Sequence, residues 1–293
     1  MKPILFEIGP VTVYGYGLMI ALGIIIGLFI ASRRAEKAGL IGDVVFDMIL
    51  YGVIVGFIGA KFTFILTELR DFLRDPLALL GSTGFVVYGG IIVGALTAYL
   101  YCRKKGHDFL RYFDIIAPSI ALAQGFGRIG CFLAGCCYGK ITDSCLGVVF
   151  PSNTLGHSGV KVLPTQLFSS VGDFIIFAAL LLYGRKKRAK GNVSGLYMVL
   201  YGVGRFLIEF LRDDERGAFW IFSTSQWISL FIVPFGILMM VISCKRAKAQ
   251  PETEDEAGEA AEAPEEPEEI PEEPADTAET VNTEAGEDTE ISE

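Results

Sequence analysis

The sequence predicts an all-α integral membrane protein: a seven-transmembrane-helix bundle with a small cap on its outer face and a disordered acidic C-terminal tail. Three observations carry this expectation. The mean hydropathy of +0.47 is too high for an ordinary soluble domain. Seven mostly apolar stretches each approach or exceed the length of about 20 residues that crosses a bilayer. The formal charge of −9 averages two unlike parts. Residues 250–293 hold 19 Asp and Glu and no Lys or Arg, so residues 1–249 hold 25 basic and 34 − 19 = 15 acidic side chains, a net of +10. The division expected is therefore a membrane domain over 1–249 and a cytoplasmic tail over 250–293. A soluble enzyme is excluded. So is a nucleic-acid binder, because no basic cluster stands outside short membrane-flanking loops.

The spans are expected at 14–31, 44–66, 85–102, 113–134, 165–183, 194–211 and 224–244. Each must be helical, because a backbone in hydrocarbon has to satisfy its own hydrogen bonds. Continuous apolar runs also lack the alternation of a barrel. Span 1 follows a single basic residue, Lys2, and precedes Arg33, Arg34 and Lys37. It reads as an inserted anchor with its N-terminus outside, not as a cleaved signal. Span 2 returns outward with Gly52-x3-Gly56, and span 3 carries Gly90-x3-Gly94. These pairs, like Gly23-x3-Gly27 in span 1, allow close helix contact. Between spans 2 and 3, the Leu-Arg-Asp-Phe-Leu-Arg-Asp-Pro stretch suits a short helix at the outer interface. After span 4, residues 135–164 form a longer connection than the topology needs; a small cap able to hold a peptide and a solvated connector both fit. His157 reads as a solvated residue of that connection, and His107 falls in an inner loop. In total, 15 Lys and Arg follow spans 1, 3, 5 and 7, against 7 on the other side. That places the C-terminus in the cytoplasm. The tail, with five prolines and dense like charge, is expected to be disordered and to serve solubility.

Lys61, Arg128 and Arg205 are the basic residues inside the spans. A charge at helix centre costs about 2.5–3.5 kcal/mol on insertion scales, which makes such residues functional candidates. The topology puts all three towards the outer side. Tyr16 and Tyr88 open inward-running helices at the same depth, Gln166 opens span 5, and Tyr201 and Glu209 flank Arg205 at i−4 and i+4. Two arginines at that depth suit an anion, and guanidinium matches phosphate oxygens bidentately. A phospholipid headgroup is the natural candidate. The competing reading pairs Arg205 with Glu209 and lets Arg128 snorkel. Asp47, Asp114 and Asp173 are expected deeper or on the inner side, as caps or interhelix hydrogen bonds.

These residues resemble the prolipoprotein diacylglyceryl transferase family over about residues 6–212. The resemblance is carried by Tyr14-Gly-Tyr-Gly-Leu-Met, Tyr88-Gly-Gly, Gly127-Arg-Ile-Gly-Cys-Phe through Tyr138-Gly139, Pro164-Thr-Gln-Leu, and Tyr201-Gly-Val-Gly-Arg-Phe-Leu-Ile-Glu-Phe-Leu-Arg212. It implies a bacterial plasma-membrane enzyme that moves a diacylglyceryl group from phosphatidylglycerol to the lipobox cysteine of a prolipoprotein. A thioether forms and glycerol phosphate leaves. It assigns Arg128 and Arg205 to the lipid phosphate and puts Tyr16 and Tyr201 at positions the family uses in its site. The candidates are therefore Arg128, Arg205, Tyr16 and Tyr88 as catalytic, Tyr88 to position the thiol or headgroup, and Tyr201, Gly89, Gly90, Gln166 and Glu209 with the arginines as substrate-binding. The implied partners are phosphatidylglycerol, lipobox peptides and the membrane, with no cofactor and no metal. The chain departs from the family pattern at Tyr88 and Leu163, where histidine is common, and at Cys131 and Cys136, where Asn and Glu are usual.

The lipobox thiol must attack as thiolate, and a nearby positive field assists its ionisation. Two preplaced guanidiniums stabilise the charge growing on the leaving phosphate. Cys131, Cys136, Cys137 and Cys145 cluster at the outer end of span 4. Apolar packing is the default reading for them; a Cys137–Cys145 or Cys136–Cys145 disulfide and a metal site are the alternatives. Two other functions compete with the transferase. One is a lipid- or peptide-binding paralogue without transfer. The other is an anionic-solute transporter, which should show midplane polar groups and inverted repeats.

Overall fold

The computed structural model describes residues 4–8, 11–82, 84–151, 159–213, 218–219 and 221–249. The expectations for His157 and for the acidic stretch 250–293 fall outside these residues. Among the described residues the order is β1 (Ile4–Ile8), β2 (Val11–Tyr14), α1 (Gly15–Lys37), α2 (Gly42–Thr67), α3 (Leu69–Arg74), α4 (Pro76–Gly81), α5 (Val87–Lys105) and α6 (Phe109–Ala134). There follow β3 (Val148–Val149), β4 (Lys161–Val162), α7 (Thr165–Tyr183), α8 (Asn192–Glu209), β5 (Ala218–Phe219), β6 (Phe222–Ser223) and α9 (Thr224–Ala249). The strands pair as three antiparallel two-stranded sheets, small additions that the all-α expectation omitted.

Five helices, α1, α2, α6, α7 and α9, are long and apolar enough to cross a membrane. The other two long helices carry more charge: α5 ends in Arg103, Lys104 and Lys105, and α8 holds Arg205 and Glu209. Large apolar side chains such as Ile25, Phe57, Ile92 and Phe231 point outward and are exposed. Arg205, Gln166, Asp173 and Ser225 are buried. Polar groups inside and apolar groups outside invert the arrangement of a soluble domain, as a lipid surround requires.

The helices pair chiefly as α1 with α6, α2 with α5, α6 with α7, and α8 with α9. Small residues set these contacts. The two Gly-x3-Gly pairs of α2 and α5 face each other: a Cβ on Gly90 would lie 2.8 Å from the Gly56 carbonyl oxygen, and one on Gly94 2.8 Å from that of Gly52. Gly23 of α1 lies against Ala123 and Phe126 of α6, and Gly236 of α9 against Gly195 of α8.

Helix ends follow local chemistry. Asp108 caps α6 by accepting from Leu110 N–H at 3.1 Å. Ser223 and Gln226 form a reciprocal box at the start of α9: Ser223 N–H donates to Gln226 Oε1 at 3.0 Å, and Gln226 N–H to Ser223 Oγ at 3.3 Å. The single interfacial helix expected between α2 and α5 is two short ones. Asp75 ends the first and, with Pro76 at the first helical position, starts the second, accepting from Ala78 N–H at 3.0 Å. Two of the three aspartates read as structural are so. Asp47 accepts from Tyr101 Oη–H at 2.6 Å. Asp114 accepts from Gly191 N–H, Ser194 N–H and Ser194 Oγ–H at 2.7, 2.8 and 2.6 Å, which holds the start of α8 against α6.

The stretch after α6 is partly ordered. β3 and β4 pair, Ile141 bridges Val162, and Gly139 bridges Arg212. Phe150 and Val162 are buried beneath it, with Phe132 and Tyr138 ringing Phe150.

Candidate active site

Alternation of helix direction brings the starts of α1, α5, α7 and α9 together with the ends of α6 and α8. Apart from Lys61 on α2, the polar residues singled out in the sequence stand at these positions. Arg205, in the last turns of α8, is 9% exposed. Its Nη1 pairs with Glu209 Oε2 at 2.6 Å, the i,i+4 spacing read in the sequence. Its Nη2 donates to Ser225 Oγ at 2.8 Å. The same hydroxyl lies 3.3 Å from Tyr88 Oη. Ser225, placed by the capping box of α9, therefore joins α8, α9 and α5.

Arg128 differs. It has no hydrogen bond or ion pair among the described residues, yet it lies within electrostatic reach of Tyr201, Cys131, Arg212 and Asp173. Tyr201 stacks on Tyr197, with centroids 5.8 Å apart, and faces the charges of both Arg128 and Arg205. Tyr16 packs edge and backbone against Gly130, two residues beyond Arg128, and feels the charge of that arginine.

Two residues of the cluster were missed. The sequence places Asp173 deeper or on the inner side, as a cap or an interhelix hydrogen bond. It is buried, and its nearest charges are Arg128 and Arg205. The available signal was the spacing Gln166, Ser170, Asp173 on α7, which lines one face with polar groups; all three are buried. Arg212 is the other. It is 7% exposed, its Nε lies 3.9 Å from Glu209 Oε2, and its backbone pairs with Gly139. It ends the α8 motif, three residues after Glu209, and was counted only as a loop charge.

Three guanidiniums, Arg128, Arg205 and Arg212, thus face two carboxylates, Glu209 and Asp173, a formal excess of one positive charge. Such an excess of positive charge attracts anions. Beside it a cleft of about 250 Å³ is lined by Lys140, Glu209, Phe210, Arg212, Ile221, Ser223 and Gln226.

Other expected residues fall differently. Gln166 Nε2 donates to the Cys136 carbonyl at 2.7 Å, while its buried Oε1 has no partner among the described residues. Gly89 and Gly90 face α2, against Thr63 and Gly56, so their direct contacts are interhelical packing. Lys61 is a staple: its Nζ donates to Ser82 O at 2.7 Å and Ser82 Oγ at 3.2 Å and lies over the rings of Phe64 and Phe85. All six cysteines are free, which overturns the disulfides considered with Cys145. Cys145 is exposed, whereas the thiols of Cys131, Cys136 and Cys137 lie within 4.8 Å of one another. Beyond the end of α6, hydrogen bonding with Cys131 and Cys136 and the charge of Arg212 push the Cys137 thiol below its ordinary value.

The family model described as prolipoprotein diacylglyceryl transferase matches residues 3–242. The chain is 48% identical over 244 residues to the phosphatidylglycerol–prolipoprotein diacylglyceryl transferase of Clostridium tetani, covering 83% of this chain and 98% of that one. It is 43% identical over 258 residues to the second such enzyme of Clostridium perfringens, covering 87% and 100%. With the Staphylococcus carnosus enzyme it shares 36% over 258 residues, covering 86% and 93%.

Proposed function

The chain belongs to the prolipoprotein diacylglyceryl transferase family, and from that premise we infer that it transfers the diacylglyceryl group of phosphatidylglycerol to the lipobox cysteine of prolipoproteins. The thiolate sulfur bonds to the glyceryl carbon, the carbon–oxygen bond to phosphate breaks, and glycerol phosphate leaves with the electron pair. In this reading seven helices cross the plasma membrane. The N-terminus and the arginine cluster are on the outer side, where secreted precursors arrive, and residues 250–293 are cytoplasmic.

The observation that carries the site assignment is the guanidinium of Arg128, without a hydrogen bond or ion pair among the described residues, which gives the cluster its formal excess of one positive charge. A half-buried cation without a protein partner is costly to keep in an apolar surround unless a ligand completes it. A lipid phosphate does so, and Arg128 then holds it bidentately. Arg205, fixed by Glu209 and Ser225, adds a positioned charge. As the leaving phosphate gains charge, both stabilise it without moving. Tyr201 and Tyr16 flank Arg128 and line the headgroup side. Tyr88 contributes its hydroxyl through Ser225, and Gln166 offers its free Oε1. The cleft floored by Arg212 and Lys140 is the entry for the precursor's lipobox.

The test is complementation of a cell depleted of its own transferase. Restored thioether-linked diacylglycerol on a lipobox precursor is the expected result. Failure of a chain that inserts normally into the membrane would reject the assignment.

A further inference from the structure

The way α6 ends gathers three thiols. Gly135 takes a left-handed conformation (φ 76°), its N–H bonds to the Phe132 carbonyl at 3.3 Å, and Cys136 N–H bonds to the Cys131 carbonyl at 3.2 Å. This pattern folds the second residue past a helix back over the residue four positions before the glycine. Cys136 is thereby set against Cys131. Cys137, also left-handed at φ 64°, turns the chain again and brings the third thiol in. A cysteine at positive φ is uncommon and needs its surroundings to hold it. Here α7 does so: Gln166 Nε2 donates to the Cys136 carbonyl at 2.7 Å and Thr165 Oγ1 to the Cys137 carbonyl at 3.0 Å. The backbone of the pair is pinned from a second helix.

We propose that Cys131, Cys136 and Cys137 form a binding site for one thiophilic d10 cation of the Zn2+ class. Each thiol lies within 4.8 Å of the other two. Tetrahedral coordination at a metal–sulfur distance of about 2.3 Å requires sulfurs about 3.8 Å apart. The site is therefore within about 1 Å of ligand geometry, a gap that side-chain rotation closes. One thiol is buried and two are half-buried, so an ion has access from one side. Three thiolates and a divalent ion sum to −1. Arg128 stands in electrostatic reach of Cys131, and Arg212 of Cys137, so that charge meets nearby guanidiniums. The carbonyl contacts from Thr165 and Gln166 supply the outer support that orients metal ligands. Three protein ligands leave a fourth position, the arrangement of an open site, for water or an incoming thiol.

The experiment uses the full-length protein in detergent, reduced with a phosphine and titrated with Cd2+ as a spectroscopic stand-in for Zn2+. Expected is a thiolate-to-cadmium charge-transfer band in the near ultraviolet that saturates at one ion per chain and accompanies a rise in thermal midpoint. The band is lost in Cys131→Ser and Cys136→Ser and kept in Cys145→Ser and Cys102→Ser. Unfolding scans without metal identify any variant that fails to fold; if Cys131→Ser does so, Cys136→Ser, whose side chain is half-buried, carries the test. Absence of the band in the reduced protein overturns the proposal, as does an equal band in a folded Cys136→Ser. Neither readout uses transfer activity, so the result stands apart from the function assigned above.

Discussion

The two central arginines should separate when each is replaced by alanine, because the protein engages them differently. Arg205 is buried with Glu209, at 9% and 8% side-chain exposure and 2.6 Å apart, and also donates to Ser225. Its removal leaves the Glu209 carboxylate with Arg212 at 3.9 Å as its remaining ion-pair partner. Breaking a buried pair from one side costs about 3–5 kcal/mol. At about 2–4 °C per kcal/mol for a chain of this size, the thermal midpoint should fall by about 6–20 °C. Arg128 gives up no hydrogen bond or ion pair among the described residues; its loss relieves repulsion from Arg212 and removes a longer-range attraction to Asp173, two effects of opposite sign. The stability change should be about 1 kcal/mol, from packing of its stem. Transfer should fall by at least about 100-fold in both, because each removes a charge that meets the leaving phosphate. Unfolding of purified protein in detergent and transfer from phosphatidylglycerol to a lipobox peptide in membranes give the two axes. An Arg128→Ala protein that melts as early as Arg205→Ala, or one that keeps full transfer, refutes the reasoning.

Ser225→Ala removes an acceptor from a buried guanidinium, worth about 1.5–3 kcal/mol, and should lower transfer about 10- to 100-fold; Tyr88→Phe, with a weaker neutral contact to the same hydroxyl, should cost less than tenfold in the same assay. Asp173→Asn removes a negative charge beside Arg128 and Arg205, so the KM for phosphatidylglycerol should fall several-fold, read from initial rates against lipid fraction. Gly90→Ala puts a Cβ 2.8 Å from the Gly56 carbonyl and should lower stability by about 1–3 kcal/mol in unfolding scans, through separation of α2 and α5. Removal of residues 250–293, which lie beyond the family match over 3–242, should leave transfer in membranes unchanged.

How much of this was legible in the sequence depends on the range of the interaction. Helix positions follow from hydropathy, which is local, and all seven expected stretches coincide with long helices. The site residues on those helices could be ranked by depth, because depth is a one-dimensional quantity set by counting from a helix end. Lateral position is not. Lys61 and Arg128 looked alike by depth, yet Lys61 is spent on Ser82 and two phenylalanine rings, whereas Arg128 stands with Arg205. Asp173 was misplaced for the same reason. Eight residues into α7 it counts as deep, but α6 and α8 bring their arginines to that level from the other direction. The cysteines show the limit most clearly: a Cys-x4-Cys-Cys spacing has no metal-site signature, and convergence arises from two left-handed residues that spacing does not encode.

The proposal that the cluster is a site, and not merely another internal polar network, rests on its contrast with the polar groups at the other end of the bundle. There the half-buried charges have protein partners. Asp114 takes three hydrogen bonds from the start of α8, Asp47 takes one from Tyr101, and Arg34 donates to the Ile115 carbonyl. Those groups hold helices together and have little left to offer a ligand. At the end bearing Arg205, Arg128 is without a hydrogen bond among the described residues, Gln166 Oε1 is buried and unpartnered, and the charges do not cancel. Ser119 Oγ, also buried and unpartnered, is the one neutral exception outside the cluster named among such groups. An unmet hydroxyl costs about 1–3 kcal/mol and is tolerable in isolation. A guanidinium and an amide oxygen left open at the same end of the bundle are not explained by helix packing, which needs neither. The proposed function accounts for both: a ligand would supply an anion to the first and a donor to the second, as the phosphate and glycerol hydroxyls of a phosphatidylglycerol headgroup can.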